Sequence, residues 1–189
     1  MARDEVELKT VIEEIGGKKK GHSFFPANLL KKDAPTRIAK ELLNKPLELR
    51  NLEIIELLPG QVLVKILYSG VCRSQLMEIE GKRGEDNWIP HLLGHEGSGI
   101  VIKVGSSVNK FQIGDEVILT WIKCEGLEEQ GAEYLSQGEI INSGPVTTFS
   151  NYSVVSENRI IKKPKNLGFD TAILFGCALP TGAGMVINE

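Results

Sequence analysis

From Thr36 onward, apolar residues come in short runs broken by glycine and proline, which predicts short strands rather than long helices. Two strand candidates flank Asn44-Lys45-Pro46, and Pro59-Gly60 closes the second. Val62, Val64, Ile66 and Tyr68 then alternate with Leu63, Lys65 and Leu67. Both faces of that strand are mostly apolar, so it is expected to be buried on both sides. Further strands are predicted over Gly99–Val104, Glu116–Trp121, Tyr152–Val155 and Arg159–Lys162, punctuated by Gly105-Ser106, Gly114-Asp115 and Pro164-Lys165. Residues 122–148, rich in Gly, Glu and Gln, read as a long excursion. Asp170 is a candidate N-cap for a helix through Ala172–Phe175. Pro180 should interrupt that helix, and TGAGMVINE should begin a second helical stretch. The sum is a barrel-like β domain with a helical C-terminal segment.

Residues 1–35 read as an unassigned N-terminal extension. Val6, Leu8, Val11, Ile12 and Ile15 partly follow helical spacing, and Gly16-Gly17 would stop that helix. Composition then removes several functional classes. With 22 basic and 25 acidic residues, no basic excess favours nucleic acid or an anionic membrane, and Lys18-Lys19-Lys20 reads as a solvated loop. No apolar stretch approaches the roughly 18–20 residues of a membrane span. The acidic start MARDEVELKTVIEE is unlike a signal peptide, so a cytoplasmic protein is expected. The 3 cysteines are odd in number and far apart, unlike a disulfide framework, which leaves buried filler, nucleophile or metal ligand for each.

Three segments could carry chemistry. Gly70-Val71-Cys72-Arg73-Ser74 follows the buried strand, Gly94-His95-Glu96-Gly97-Ser98-Gly99 precedes another, and Gly176-Cys177-Ala178-Leu179-Pro180-Thr181-Gly182 lies near the end. Each sets a Cys or His beside glycine at the end of an element. Two thiolates and an imidazole suit Zn²⁺, and three protein ligands leave a fourth position open, as catalytic zinc requires. The ligands are scattered, however, and two buried cysteines with a surface histidine fit the same spacing.

Taken together, PGQVLVKILYSGVCRS, LLGHEGSGIVIKVGSSVNKFQIGDEV and GCALPTGAG stand in an order that resembles the zinc-dependent alcohol dehydrogenases of the medium-chain dehydrogenase/reductase family. The resemblance covers about Lys45 to Glu189, and GCALPTGAG is most similar to the glutathione-dependent formaldehyde dehydrogenase branch. It implies a GroES-like, partly open β-barrel over 36–189, an incomplete catalytic domain whose C-terminal helical segment would lead into an absent Rossmann domain. It also implies that Cys72, His95 and Cys177 bind one catalytic zinc, with Glu96 as a nearby carboxylate. Ser74 would bond the substrate hydroxyl and begin a proton relay. Arg73 would contact the pyrophosphate of NAD or NADP, Thr181 the nicotinamide, and Trp121 would wall the substrate pocket. The implied function is interconversion of an alcohol with an aldehyde or ketone, with a small-molecule substrate and a possible homo-oligomer.

Some positions depart from the family pattern. Cys124 stands alone where many members hold a structural zinc with four cysteines, so no structural zinc is expected and Cys124 reads as a buried or loop thiol. Gln75 replaces the aspartate that orients the zinc-binding histidine; an amide can still accept from imidazole but raises its basicity less. Met77 stands in place of a relay histidine, so the relay would end in water. His91, four residues before His95, reads as a surface residue or one packed behind a ligand. No Gly-x-Gly-x-x-Gly follows a strand in the chain. Two other readings therefore accompany the dehydrogenase: a non-catalytic GroES-like zinc-binding or oligomerisation module, and an inactive gene fragment.

Overall fold

A computed structural model describes residues 47–189, apart from 85, 87 and 189. The helix expected within 1–35, the strand ahead of Pro46 and the domain boundary near residue 36 lie outside the described residues. The compact unit described below is Arg50–Glu189.

The strand candidate between Pro46 and Pro59 shrinks to β1 (Glu53–Ile54), and the long apolar run becomes β2 (Gln61–Ser69). Helix α1 (Arg73–Ile79) follows, then β3 (Gly97–Val104) and β4 (Glu116–Leu119). The excursion contains β5 (Glu133–Ser136) and β6 (Glu139–Asn142), and the chain returns through β7 (Tyr152–Ser156) and β8 (Ile160–Lys162). It ends in α2 (Phe169–Ala172), a 3-10 turn (Ile173–Gly176) and α3 (Ala178–Ile187). Among the described residues no single helix is long and apolar enough to cross a membrane; Phe169–Gly176 and Ala178–Ile187 reach that length and apolarity only as a pair bent by 49°.

Five strands form an antiparallel sheet in the order β7-β2-β3-β4-β8, curled as a half-barrel. The other three form a second antiparallel sheet, β1-β5-β6. The pattern of β2 explains how the sheets meet. Val62, Val64 and Ile66 face one core with Val101, Val117, Leu119, Val155 and Ile160. Leu63 points the other way, into a second core with Val154, Tyr134 and Ile141. A strand between two cores needs apolar residues on both faces, as the sequence predicts. Each wholly buried valine contributes about 1.5–3 kcal/mol. The Tyr134 hydroxyl joins the sheets by accepting from the Val154 N–H at 2.8 Å.

Several local expectations need correction. The strand expected over Glu116–Trp121 stops at Leu119, and the following Thr120 donates its hydroxyl to the Gly176 carbonyl at 2.8 Å. Arg159 lies in a 3-10 turn ahead of β8 rather than in the strand. The excursion holds a hairpin closed by Gln137-Gly138, with φ of 54° and 83°, the left-handed pair that two-residue hairpin turns need. Gly168, not Asp170, caps α2; the Asp170 carboxylate accepts from the neighbouring Thr171 N–H at 2.9 Å instead. Pro180 does not break the terminal helix. It lies in the first turn of α3, where its missing N–H has no helical partner to lose, and the break falls at Cys177 (φ −151°, ψ −58°).

His91 is not a surface residue: its side chain is 15% exposed and ties α1 to the following loop. Nδ1 faces the Leu92 carbonyl and Nε2 faces Asp86, both at 2.7 Å, with Glu78 of α1 at 3.9 Å from Nε2. Both partners at 2.7 Å only accept, so both ring nitrogens donate and the ring is an imidazolium. Burial alone would lower the His91 pKa, but the Leu92 carbonyl, Asp86 and Glu78 together raise it. The Trp88 N–H, then His91, hold Asp86 below the usual carboxylate range. The coupling is fully present between unfolded values of about 3.9 for Asp and 6.5 for His. It fades as pH rises through the raised His91 value or falls through the lowered Asp86 value. His91→Gln should therefore destabilise by about 0.5–1 kcal/mol near pH 5.5 and by visibly less near pH 9, read by thermal unfolding of both proteins at each pH. An equal cost at the two pH values would contradict the imidazolium assignment.

Candidate metal centre

The three chemical segments meet at one end of the half-barrel. Cys72 is the N-cap of α1, extended at φ −100° and ψ 152°, three residues after β2 ends. His95 and Glu96 immediately precede β3. Cys177 is the hinge between the 3-10 turn and α3. Their donor atoms, Cys72 Sγ, a His95 ring nitrogen and Cys177 Sγ, all lie within 4.8 Å of one another. Cys177 is buried and Cys72 half-buried, and neither is in a disulfide.

Two glycines make this convergence possible by close approach. A Cβ on Gly70 would come within 2.5 Å of Glu96 Oε1, and one on Gly176 within 2.5 Å of the Leu119 carbonyl and 2.9 Å of Glu96 Cβ. The backbone is pinned by the Gly70 N–H to the Glu96 carbonyl at 3.0 Å. Thr148 Oγ1 donates to the same carbonyl at 3.2 Å, and the Ala178 N–H donates to Glu96 Oε2 at 3.3 Å.

The electrostatics favour a cation. Burial, then the Arg83 charge, lowers the His95 pKa, which keeps the ring neutral and able to ligate. Burial pushes the Cys177 thiol up, and the nearby Cys72 and Glu96 add to this. Burial also raises Glu96, with the Ala178 N–H opposing it. Glu96 is 4% exposed, and its charge adds to the upward push on the Cys177 thiol. A divalent soft-to-borderline cation is the charge this donor set accommodates. Two zinc–sulfur bonds of about 2.3 Å at a tetrahedral angle set sulfurs about 3.8 Å apart, inside the 4.8 Å within which the three donor atoms lie. The Ser74 hydroxyl, two residues past Cys72, is buried with no hydrogen-bond partner among the described residues. Such an orphan fits a site built for a hydroxyl-bearing guest.

The remaining predicted residues are peripheral. Arg73 is the exposed first residue of α1, and Met77 lies half-buried in the same helix. Thr181 is exposed in α3, its Oγ1 3.8 Å from Cys177 Sγ. Trp121 is 52% exposed beyond β4, next to the Thr120 that bonds Gly176. Cys124 is a half-buried loop thiol whose Sγ lies 3.8 Å from the Ile122 carbonyl. Sequence reasoning assigned Gln75 only the role of acceptor. It is 4% exposed, accepts from the Cys72 N–H at 3.3 Å and contacts His95 Nδ1 through its Nε2. The signal for the first contact was a glutamine three residues after a helix cap.

The profile of the alcohol dehydrogenase GroES-like domain matches residues 58–165. S-(hydroxymethyl)glutathione dehydrogenase of Synechocystis sp. is 31% identical over an alignment taking in 76% of this chain and 46% of that protein. The Escherichia coli enzyme of the same name matches equally. The chain thus spans about half the length of these curated relatives. Among solved structures, an alcohol dehydrogenase zinc-binding domain protein from Burkholderia ambifaria superposes with a TM-score of 0.66 at 28% identity, over 77% of this chain and 46% of that one. Benzyl alcohol dehydrogenase from Acinetobacter calcoaceticus gives 0.61 at 29%, over 75% and 44%.

The tight fit at Gly176 has a direct test. Gly176→Ala should destabilise the chain by about 1–3 kcal/mol in thermal unfolding, because the carbonyl it meets is backbone that cannot yield. A melting temperature within error of wild type would contradict the close approach.

Proposed function

The chain belongs to the alcohol dehydrogenases of the medium-chain dehydrogenase/reductase family by way of their GroES-like domain, and on that premise we propose that Cys72, His95 and Cys177 hold a catalytic zinc serving alcohol–carbonyl interconversion. The observation that carries this reading is the approach of three donor atoms, from segments far apart in sequence, to within 4.8 Å of one another. The whole protein's activity belongs to the same proposal, since this chain spans 46% of the curated relatives.

Zinc in this donor set supplies Lewis-acid polarisation of an alcohol or carbonyl oxygen, and a nicotinamide cofactor, NAD or NADP, supplies the hydride acceptor. The chain's own residues do the rest. The unpartnered Ser74 hydroxyl takes the proton of the substrate hydroxyl as hydride leaves and passes it towards water, since Met77 offers no acceptor on the next turn. Glu96, held by the Ala178 N–H, balances the local charge and stands by as an alternative oxygen donor. Arg73, exposed at the start of α1, would meet the pyrophosphate, and Thr181, exposed in α3 with its Oγ1 3.8 Å from Cys177 Sγ, would meet the nicotinamide. Trp121 supplies an aromatic wall for the substrate. The formaldehyde–glutathione adduct named for the curated relatives, and benzyl alcohol, are the first substrates to try.

The metal assignment predicts about one zinc per chain in purified protein. Cys72→Ser should lose most of it, because a serine hydroxyl does not ionise to a ligand near neutral pH, whereas Cys124→Ser should keep it. Elemental analysis of the three proteins decides the matter. Unchanged zinc in Cys72→Ser would refute the ligand set. In whole protein with zinc retained, Ser74→Ala should lower kcat by about 10²-fold or more with little change in KM. Unchanged kcat would remove Ser74 from the proton path.

A further inference from the structure

Cys72 and His95 are carried by the ends of strands, Cys72 just after β2 and His95 just before β3. Cys177 arrives differently, on the helical turns that run from α2 to α3. Side chains of the sheet and its flanks hold those turns by their carbonyls. Lys163 Nζ donates to the Leu167 carbonyl at 2.6 Å, and the Ser98 hydroxyl to the Phe169 carbonyl at 2.7 Å. The Thr120 hydroxyl donates to the Gly176 carbonyl at 2.8 Å. The last of these three bonds falls next to the ligand itself.

The direction of the Thr120 bond is fixed. A backbone carbonyl only accepts, and the Ile122 N–H donates to the same hydroxyl at 3.1 Å, so the hydroxyl proton goes to Gly176. Thr120 is 3% exposed and Gly176 is buried, so water does not replace this donor. The Thr120 N–H is itself anchored on the Arg159 carbonyl at 3.0 Å. The Gly176 carbonyl belongs to the peptide unit whose nitrogen is that of Cys177, and a peptide unit is planar. Holding the carbonyl therefore holds the plane from which the Cys177 side chain starts. The next peptide unit is held from the other side, by the Ala178 N–H on the Glu96 carboxylate at 3.3 Å. The 3-10 turn just ahead adds little apolar anchorage, since Leu174 and Phe175 are each 42% exposed.

We propose that Thr120 is a positioning residue that sets the place of Cys177 in the metal centre through the Gly176 carbonyl. Its effect on metal rests on the zinc reading above, whereas its effect on the thiol stands on hydrogen bonds alone. Thr120→Val keeps the shape of the side chain, removes the donor and leaves a buried carbonyl unpaired. Thr120→Ala removes the donor with less bulk, and Thr120→Ser keeps it. Ser98→Ala frees the same helical turns at Phe169, away from the ligand.

Two measurements on the full chain test this. The first is the rate at which iodoacetamide alkylates Cys177 in metal-free protein, read by peptide mass spectrometry with Cys124 as internal reference. Thr120→Val and Thr120→Ala should speed it by about fivefold or more, because a buried hydrogen bond no longer opposes local opening. Thr120→Ser and Ser98→Ala should stay near the wild-type rate. The second is zinc affinity by chelator competition, with cobalt spectra reporting thiolate ligation. Thr120→Val should weaken zinc by about tenfold and lower the cobalt–thiolate absorption per bound cobalt, and Thr120→Ser should restore both. Equal Cys177 labelling in wild type and Thr120→Val, or an equal acceleration by Ser98→Ala, would overturn the proposal. So would a zinc affinity within about twofold of wild type with an unchanged cobalt spectrum in Thr120→Val. Loss of the zinc reading looks different: no protein, wild type included, would bind zinc or show cobalt–thiolate bands, while the labelling rates would still decide the role of Thr120.

Discussion

Glu96 is where the separate parts of the centre are held together. Its carbonyl receives the Gly70 N–H and the Thr148 hydroxyl, and its carboxylate receives the Ala178 N–H. These bonds draw the turn carrying Cys72 and the hinge carrying Cys177 onto the strand end carrying His95. Glycine at 70 and 176 follows from that crowding, because any Cβ there would meet Glu96 or the backbone beside it. The rest of the fold supports this junction. β3 is anchored between β2 and β4, Gly97 pairs with Ser69 on one side and Leu119 on the other, and the apolar core lies directly behind.

The same crowding sets the chemistry. Burial raises the Glu96 carboxyl and the Cys177 thiol, and a divalent cation held there would favour the charged forms that burial opposes. The orphaned Ser74 hydroxyl adds a second unfilled requirement at the same place. The cluster of His91, Asp86 and Glu78 is different in kind, because the His91 imidazolium and the Arg83 guanidinium, 3.9 Å from Glu78, balance its two carboxylates.

The β architecture was legible where periodicity was strong. The two-faced apolar run of β2 announced a strand between cores, and the Gly-His-Glu-Gly-Ser-Gly segment announced the entry to β3. The β5–β6 hairpin was not legible, because Gln137 at positive φ is an unusual partner for Gly138 and the flanking strands carry few apolar residues. The break at Cys177 was misplaced onto Pro180 because proline marks helix ends in sequence yet is also at home in a first turn. Motif order identified the candidate ligands, but only the fold brings residues 72, 95 and 177 to one point.

The central claim is that Cys72, His95 and Cys177 form one metal centre. X-ray absorption at the zinc edge of the purified chain tests it most directly. The account predicts a shell of two sulfurs with one imidazole nitrogen and one further light atom. A shell without sulfur, or with four sulfurs, would contradict it.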